Sequence, residues 1–325
     1  MRSQRISLLG IICSFIMLVA CQPSISKEDM QTVKKETEIF AIEGTDTLRL
    51  DRYVCMEGTD AKQPVVLFAF GGGFRGGDRA SSEYLSYFEF LARQGYTVIS
   101  IDYRTTLKTL DAQQVKSPMD FMQALQTAIQ TAVSDLYAAT HYVIDHSETW
   151  QIDPQRIVLS GSSAGAITVL QAEYQLCQSN AEISILPAGF QYAGVISFAG
   201  AIADVKAPTW PKRPCPILLF HGDADRTVPY RQAALPDLGG LWGSASIAES
   251  LAEAGASYAF YRIGNADHII SSTPMSEQLY DILSFLDRCV MHNESLVIQT
   301  NICTPGDSLH ETLFTIEDYL KENLQ

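Results

Sequence analysis

A serine between two glycines is the first group in this chain whose residue types and spacing suit catalysis. The stretch RIVLSGSSAGAITVL (156–170) interrupts an apolar run with Gly161, Ser163 and Gly165 at the spacing G-x-S-x-G. A tight turn from strand to helix at this spacing lifts the serine hydroxyl above a sheet, where it can attack a carbonyl carbon. The motif alone also fits an ordinary turn of small residues, but the apolar run at 157–160 before it favours the nucleophile.

A serine nucleophile also needs a base, a group that orients the base, and donors for the oxyanion. The stretch VVLFAFGGGFRGGDR (65–79) places three glycines directly after an apolar run. Glycines let backbone N–H groups face a bound carbonyl without obstruction, so Gly72, Gly73 and Ala164 are the predicted donors. The alternatives are a flexible glycine turn or a phosphate cradle, although no Gly-Lys-Ser/Thr follows to favour a cradle.

These motifs together resemble the α/β-hydrolase superfamily, in particular the carboxylesterase branch related to hormone-sensitive lipases and to bacterial feruloyl and acetyl esterases. Members carry His-Gly-Gly-Gly-Phe/Trp followed by Gly-Asp; the chain has GGGF at 71–74 and GD at 77–78, but Phe70 replaces the histidine. Further matches are DYR at 102–104, DP at 153–154 and HGDADRTVP at 221–229. The resemblance covers about residues 65–290 and implies an α/β-hydrolase fold.

The resemblance also implies the acid and the base. In this fold the triad follows the chain order serine, acid, histidine. The stretch HGDADRTVP offers Asp223 and Asp225, and the D-x-x-V-P spacing of the family implies Asp225. Chain order leaves His268, His292 and His310 as bases, and the family places its base where His268 follows the loop GNAD.

The predicted function is hydrolysis of carboxylic esters through an acyl-enzyme on Ser163, with His268 as base and Asp225 as its orienting group. The segment 200–215 is too short for a large cap domain, and the connection after Asp102 and the stretch YRQAALPDLGGLW (230–242) are interpreted as the border of an open cleft. An open cleft on a membrane-anchored protein favours short-chain or aromatic acyl esters, with acylated polysaccharides as one source. A serine peptidase of the prolyl-oligopeptidase type is one alternative, although the chain has no segment of the size of its propeller. A non-catalytic binding protein on the same scaffold is the other, and the Phe70 departure favours it.

The surrounding pattern predicts the elements that position these groups. Apolar, β-rich runs alternate with segments of helical period, which indicates a mostly parallel central sheet with helices on both faces. The predicted strands are 65–70, 97–102, 157–160, 194–198, 217–221 and 258–263, after a hairpin of 37–42 and 47–53; the predicted helices are 81–94, 120–146, 164–177, 244–253 and 275–290. No repeat or linker interrupts this order, so 37–291 is predicted as one catalytic domain and 292–325 as a helical extension.

The N-terminal segment predicts export and membrane attachment. Arg2 and Arg5 precede an apolar run that is shorter than the about 20 residues of a spanning helix, so 1–20 is predicted as a signal peptide rather than an uncleaved anchor. The sequence LVAC ending at Cys21 resembles the lipobox of bacterial lipoproteins, which implies lipid on Cys21 and a tether over 21–36. Gln22 rather than aspartate implies the outer membrane, facing the periplasm or the cell surface.

Charge and cysteine content limit the partners. Without the signal peptide the chain has 21 basic and 37 acidic side chains, a net charge of −16, which argues against nucleic acid and against an anionic membrane surface as partners.

Five cysteines remain after Cys13 and Cys21 are set aside, and Cys289 with Cys303 is the favoured disulfide because both flank a polar segment outside the catalytic core. No cluster at metal-ligand spacing is present, so neither a metal nor a cofactor is predicted.

Overall fold

The strands and helices of the protein follow the alternation of its apolar runs. The computed structural model describes residues 32–56, 61–110, 115, 117–178, 183–235, 238–306 and 314–323. Its strands are β1 Val33–Glu43, β2 Asp46–Cys55, β3 Gln63–Ala69, β4 Thr97–Ile101, β5 Ile152–Ser162, β6 Gly194–Phe198, β7 Ala201–Asp204, β8 Ile217–Gly222, β9 Gln232–Leu235, β10 Gly239–Gly243, β11 Tyr258–Ile263 and β12 Val297–Ile302. Its α-helices are α1 Ser82–Arg93, α2 Pro118–Asp145, α3 Ala164–Leu176, α4 Ser244–Glu253, α5 Pro274–Glu277, α6 Leu279–Phe285 and α7 Ile316–Asn323.

Nine strands form the central sheet, in the order β1-β2-β4-β3-β5-β6-β8-β11-β12. The pairs β1/β2 and β2/β4 are antiparallel, and every other pair in this sheet is parallel. Residues 65–69 of β3 are fully buried, as expected for a strand covered on both faces. The predicted mostly parallel sheet is therefore confirmed.

Two groups of helices pack against this sheet. Helix α1 contacts β4, α5 and α6, whereas α3 contacts β5, β6 and α2. Every residue of α3 from Ala164 to Tyr174 is buried, which is typical of a helix enclosed by neighbours on all sides. Helix α3 is therefore held rigidly, and the residue that precedes it is Ser163.

A second, smaller sheet was not predicted. Its order is β7-β10-β9, with antiparallel pairing throughout. The stretch YRQAALPDLGGLW, interpreted from sequence as the border of an open cleft, contributes β9 and β10. These strands are only four and five residues long and contain Gly239 and Gly240, residues that weaken a strand signal.

Both ends of the predicted domain need correction. Strand β1 begins at Val33, inside the predicted tether, and β12 pairs in parallel with β11 inside the predicted extension. The segment 292–325 is therefore not only helical, because it completes one edge of the sheet before α7. The predicted signal peptide and the predicted lipidation at Cys21 lie outside the described residues.

The structure also corrects the disulfide and one helix. Cys289 and Cys303 are both free thiols, the first buried and the second exposed, so the expected bridge between them is wrong. The helix predicted at 275–290 is divided into α5, α6 and a π-helical turn, Leu286–Met291.

Within the part of the chain that is described, no helix is both long enough and apolar enough to cross a membrane.

Candidate active site

Ser163 occupies a sharp turn between β5 and α3. Its backbone has φ 51° and ψ −116°, a conformation that is costly for a residue with a side chain. The flanking glycines allow the turn because a Cβ on Gly161 would lie 2.4 Å from the carbonyl oxygen of Gly165, and one on Gly165 would lie 2.1 Å from that of Ala69. The spacing G-x-S-x-G is therefore required by the close approach of β5, α3 and β3.

His268 lies within hydrogen-bond distance of the Ser163 hydroxyl. The Ser163 Oγ and the His268 Nε2 are 2.7 Å apart, and the His268 Nδ1 is 2.7 Å from the Asp225 Oδ2. With its Nδ1 proton donated to the carboxylate, the imidazole leaves Nε2 free to accept the serine proton. A hydrogen bond of 2.8 Å from the Ser162 hydroxyl to the Ser271 carbonyl joins the serine turn to the turn that carries His268.

Asp225 is a buried carboxylate whose two oxygens are both occupied. The Oδ1 accepts the N–H groups of Thr227 and Val228 at 2.8 and 3.0 Å, and the Oδ2 accepts from His268. Burial raises the pKa of this carboxyl, but hydrogen bonds from His221 and His268 outweigh burial and hold the pKa well below its ordinary value. Asp225 therefore stays ionised and can stabilise a protonated His268.

His221 is a part of the site that the sequence did not predict. It is completely buried, and its Nε2 lies 3.4 Å from the Asp225 Oδ2 and 3.2 Å from the Val228 carbonyl. Its Nδ1 is 2.8 Å from the hydroxyl of Ser244, the first residue of α4. His221 is thus a second histidine beside the Asp225 Oδ2, the oxygen that also accepts from His268. Its only sequence signal is its position four residues before Asp225.

Asp223 contacts the loop that precedes His268 rather than the histidine itself. Its Oδ2 lies 2.8 Å from the Arg262 guanidinium, and its Oδ1 accepts the N–H of Asn265 at 2.6 Å. These bonds tie the end of β8 to the loop after β11 that leads to His268. The two acids of GDAD therefore have different partners. Asp225 hydrogen-bonds to His268, whereas Asp223 binds Arg262 and the backbone of the loop that leads to His268.

The glycine loop after β3 lies against the serine turn. A Cβ on Gly71 would meet the Ser163 Cβ at 3.3 Å, and both Gly72 and Gly73 have positive φ, 132° and 62°. Among the described residues, no acceptor takes the N–H of Gly72, Gly73 or Ala164. Gly73 and Ala164 line the same pocket as Ser163, whereas Gly72 is not in the pocket wall.

Phe70, at the position where the resembled esterases carry histidine, packs at the start of this loop. Its ring stacks on Tyr103 with centroids 4.4 Å apart, and the Tyr103 hydroxyl donates to the Phe70 carbonyl at 2.7 Å. Gly77, with φ +114°, gives the ring room, because a Cβ there would lie 2.4 Å from it. The Tyr84 hydroxyl accepts the N–H of Gly71 at 3.2 Å, which fixes the start of the three glycines.

A pocket of about 250 Å³ opens at Ser163. Its wall is mainly aromatic and aliphatic, with Phe74, Leu107, Phe121, Leu125, Ile167, Val228 and Tyr319, and with Arg75, Thr227 and Glu322 as polar members. A larger groove of about 990 Å³ has none of the triad residues in its lining. The chemistry of the serine therefore belongs to the smaller, apolar pocket.

The other candidate groups lie apart from this site. His292 lies beside Asp287 on the surface, and His310 lies outside the described residues. In the described ranges, no group of three or more His, Cys, Asp or Glu residues is placed to hold a metal ion. The structure thus brings together Ser163, His268 and Asp225, and their catalytic roles stay predictions.

Comparison with known sequences finds similarity to a lipase and an esterase. The BD-FAE family matches residues 50–209. "Lipase 2" of Moraxella sp. (strain TA144) is 32% identical over 109 residues, which are 34% of this chain and 21% of the lipase. "Esterase B1" of Culex pipiens is 26% identical over 124 residues, 38% of this chain and 21% of that esterase. The chain therefore spans about a fifth of the length of these curated relatives.

Solved structures share the fold over most of the chain. Thermogutta terrifontis esterase 2 phosphoramylated by tabun has a TM-score of 0.59 at 21% identity, covering 78% of this chain and 94% of its own. The propionate-bound form of the same esterase has a TM-score of 0.58 at 20% identity, with the same coverage. Since the identity is low, this likeness shows a common fold.

Proposed function

The chain has the α/β-hydrolase fold, and we propose that it cleaves carboxylic esters with Ser163 as the nucleophile. The observation that carries the proposal is the line of two 2.7 Å hydrogen bonds from Ser163 through His268 to Asp225. The similarity to a lipase and to two esterases supports esters as the substrates.

The proposed reaction has two acyl-transfer steps. His268 Nε2 takes the Ser163 proton while the Oγ attacks the ester carbonyl, and the N–H groups of Gly72, Gly73 and Ala164 donate to the oxyanion. His268 then protonates the leaving alcohol. Water, deprotonated by the same histidine, attacks the acyl-enzyme and releases the acid, which restores Ser163.

The proposed substrates carry a short or aromatic acyl group. The pocket of about 250 Å³ is small for a ligand site, and its wall is mostly apolar. Propionate and butyrate are bound in structures of the Thermogutta esterase, and they are short acids. We extend the proposal to esters on polysaccharides, reached by a lipoprotein anchored through Cys21 in the outer membrane.

Hydrolysis of p-nitrophenyl esters from acetate to palmitate by the full-length protein in detergent tests this function. We expect turnover to be greatest on short acyl chains and to fall by about 10⁴-fold or more in Ser163→Ala, which keeps the fold. Equal turnover on palmitate would contradict the substrate class, and turnover that survives Ser163→Ala would contradict the mechanism.

A further inference from the structure

The C-terminal helix α7 forms part of the pocket at Ser163. Tyr319 and Glu322, both on α7, line this pocket together with Ser163 and Ala164. The helix contacts α2 and β9, elements that are far from it in sequence. The last segment of the chain therefore reaches the candidate catalytic centre.

Side chains at both ends of α7 fix it in this position. Thr315 and Asp318 cap its start, since the Asp318 carboxylate accepts the Thr315 N–H at 3.0 Å and the Thr315 hydroxyl accepts the Asp318 N–H at 3.2 Å. Arg226, next to the triad acid in sequence, lies 3.3 Å from Asp318 and 3.4 Å from Glu322. A helix of eight residues is marginal alone, so these contacts and its buried face must hold it.

Tyr319 is the buried contact of this helix. Its side chain is only 4% exposed, and its ring centroid lies 6.2 Å from that of Phe121 and 6.3 Å from that of Phe314. Phe314 in turn lies under the Arg226 guanidinium, 5.6 Å from it. The tyrosine ring is thus wedged between α2 and the residues that dock the helix.

The lining of the pocket indicates which part of an ester it receives. The leaving alcohol must lie near the His268 Nε2 to take its proton. Gly73 and Ala164 line the pocket, but His268 is not among the described residues that line it. The lining, which includes two predicted oxyanion donors and does not include His268, fits the acyl group better than the leaving alcohol.

We propose that Tyr319 closes the end of the acyl pocket and sets the longest acyl chain that Ser163 accepts. The inference rests on the proposed ester hydrolysis. Its basis is the position of one buried aromatic ring in the wall of a small apolar pocket, held there by a docked helix. Residues 314–323 are then part of the substrate site rather than a surface appendage.

Chain-length profiles of the full-length protein test the role of Tyr319. We expect Tyr319→Ala to raise the ratio of kcat/KM for p-nitrophenyl octanoate to that for butyrate by about tenfold or more, because the pocket is lengthened. Tyr319→Phe keeps the ring and should leave this ratio within about twofold of wild type. An unchanged ratio in a folded Tyr319→Ala protein would overturn the proposal.

A second pair of variants covers the case in which Tyr319→Ala does not fold. Asp318→Ala removes the cap and one ion pair with Arg226, and it should shift the ratio in the same direction by releasing α7. Glu317→Ala is the matched control, an exposed acid one residue away on the same helix. Identical ratios in Asp318→Ala and Glu317→Ala would count against a docked helix that limits the chain.

A covalent probe separates this inference from the proposed function. Ethyl and octyl fluorophosphonates react as the Ser163 Oγ forms a bond to phosphorus, fluoride leaves and His268 takes the serine proton. Intact-protein mass spectrometry gives the labelling rates, whose octyl-to-ethyl ratio should rise in Tyr319→Ala even if no ester is hydrolysed. Labelling with no ester turnover would refute the proposed function alone, and a wild-type protein that reacts with neither probe would refute both.

Discussion

Asp225 and Asp223 are two residues apart, equally buried, and matched to different partners. Asp225 faces His268 and His221, whereas Asp223 pairs with Arg262 and the Asn265 N–H. A substitution that removes the charge and keeps the shape should therefore mainly lower activity at Asp225 and mainly lower stability at Asp223.

We expect the main effect of Asp225→Asn to be a fall in kcat of about 10⁴-fold, because the imidazole loses the partner that fixes its tautomer. The variant should also lose the stability that the ionised carboxyl contributes at neutral pH. Asp223→Asn should instead lower the free energy of unfolding by about 3 kcal/mol, because it leaves the partly buried Arg262 without its counter-charge. Ester turnover and thermal unfolding of both variants check the pair. A stable Asp223→Asn protein with the larger loss of activity would reverse the assignment.

The same residues predict the pH dependence of activity. Protonation of His268 removes the acceptor for the Ser163 proton, so kcat/KM should fall about tenfold or more from pH 8 to pH 5 with the slope of one proton. Asp225 does not contribute, because hydrogen bonds from His221 and His268, against the effect of burial, keep its pKa below the ordinary value. A flat profile over this range, with the protein folded throughout, would contradict His268 as the base.

The lowered pKa of Asp225 also fixes the sign of its effect on stability. The ionised carboxyl stabilises the fold above its unfolded pKa of about 3.9, and this contribution is lost only as pH falls towards the lower pKa of the folded state. Loss of activity near pH 5 should therefore precede any unfolding caused by this group.

Most of the candidate site could be predicted because its signals are local. Ser163, Asp225 and His268 each follow an apolar run, and the resemblance orders them along the chain. The support of Phe70 by Tyr103 and the contact of His221 with Asp225 depend on tertiary packing, which no spacing records. Phe70 in place of histidine is interpreted from sequence as support for a binding protein. In the structure, contacts with Tyr103 and Tyr84 still hold the glycine loop in place.

Among the elements, α3 begins directly after the proposed nucleophile Ser163 and carries a buried acid near its other end. Glu173 lies on this helix, 3% exposed, and its Oε1 accepts the Cys215 N–H at 2.8 Å and the Cys177 thiol at 3.4 Å. Its Oε2 has no partner among the described residues. Burial raises the pKa of this carboxyl, although the Cys215 N–H opposes the rise.

Because burial raises the pKa of Glu173, we expect Glu173→Gln to be more stable than the wild type, by an amount that grows as pH rises. The unfolded chain releases the Glu173 proton near pH 4.3, whereas the folded chain keeps it to higher pH, so the wild type loses stability as pH rises. We expect equal melting temperatures near pH 4 and an advantage of about 3 °C for the variant near pH 8. Glu253→Gln, at an exposed acid, is the control; a constant difference at all pH values would contradict the prediction.

The elements that the sequence predicted and those it did not differ in length and burial. The parallel strands of the centre are continuous apolar runs, and β6 and β11 match their predicted bounds. Strand β12, with the sequence VIQTNI, is largely exposed at the sheet edge and has no such run. The contact of α7 with the pocket brings together residues that are about 150 positions apart, which periodicity cannot record.

In the whole molecule, the candidate catalytic site and the predicted export signal occupy separate parts of the sequence. The described residues carry the candidate site, and the predicted lipobox precedes them. If Cys21 is acylated, the protein reaches its esters at a membrane surface, and that location would limit it to substrates in the periplasm or outside the cell.

We expect Cys21→Ser to abolish incorporation of labelled palmitate in cells and to prevent recovery of the protein with outer membranes. Cys13→Ser changes a cysteine within the apolar run and should leave both properties unchanged. Labelling and membrane fractionation of the two variants check the prediction. Palmitate on the Cys21→Ser protein would contradict the lipobox.

The proposed ester hydrolysis requires that Ser163 itself carries the acyl group, and this can be measured directly. The protein is mixed with p-nitrophenyl acetate, quenched with acid within the first turnovers, and analysed by peptide mass spectrometry. We predict one acetyl group on the peptide that contains Ser163, with none in Ser163→Ala. Hydrolysis without an acylated Ser163, or an acetyl group at another residue that turns over at the same rate, would contradict it.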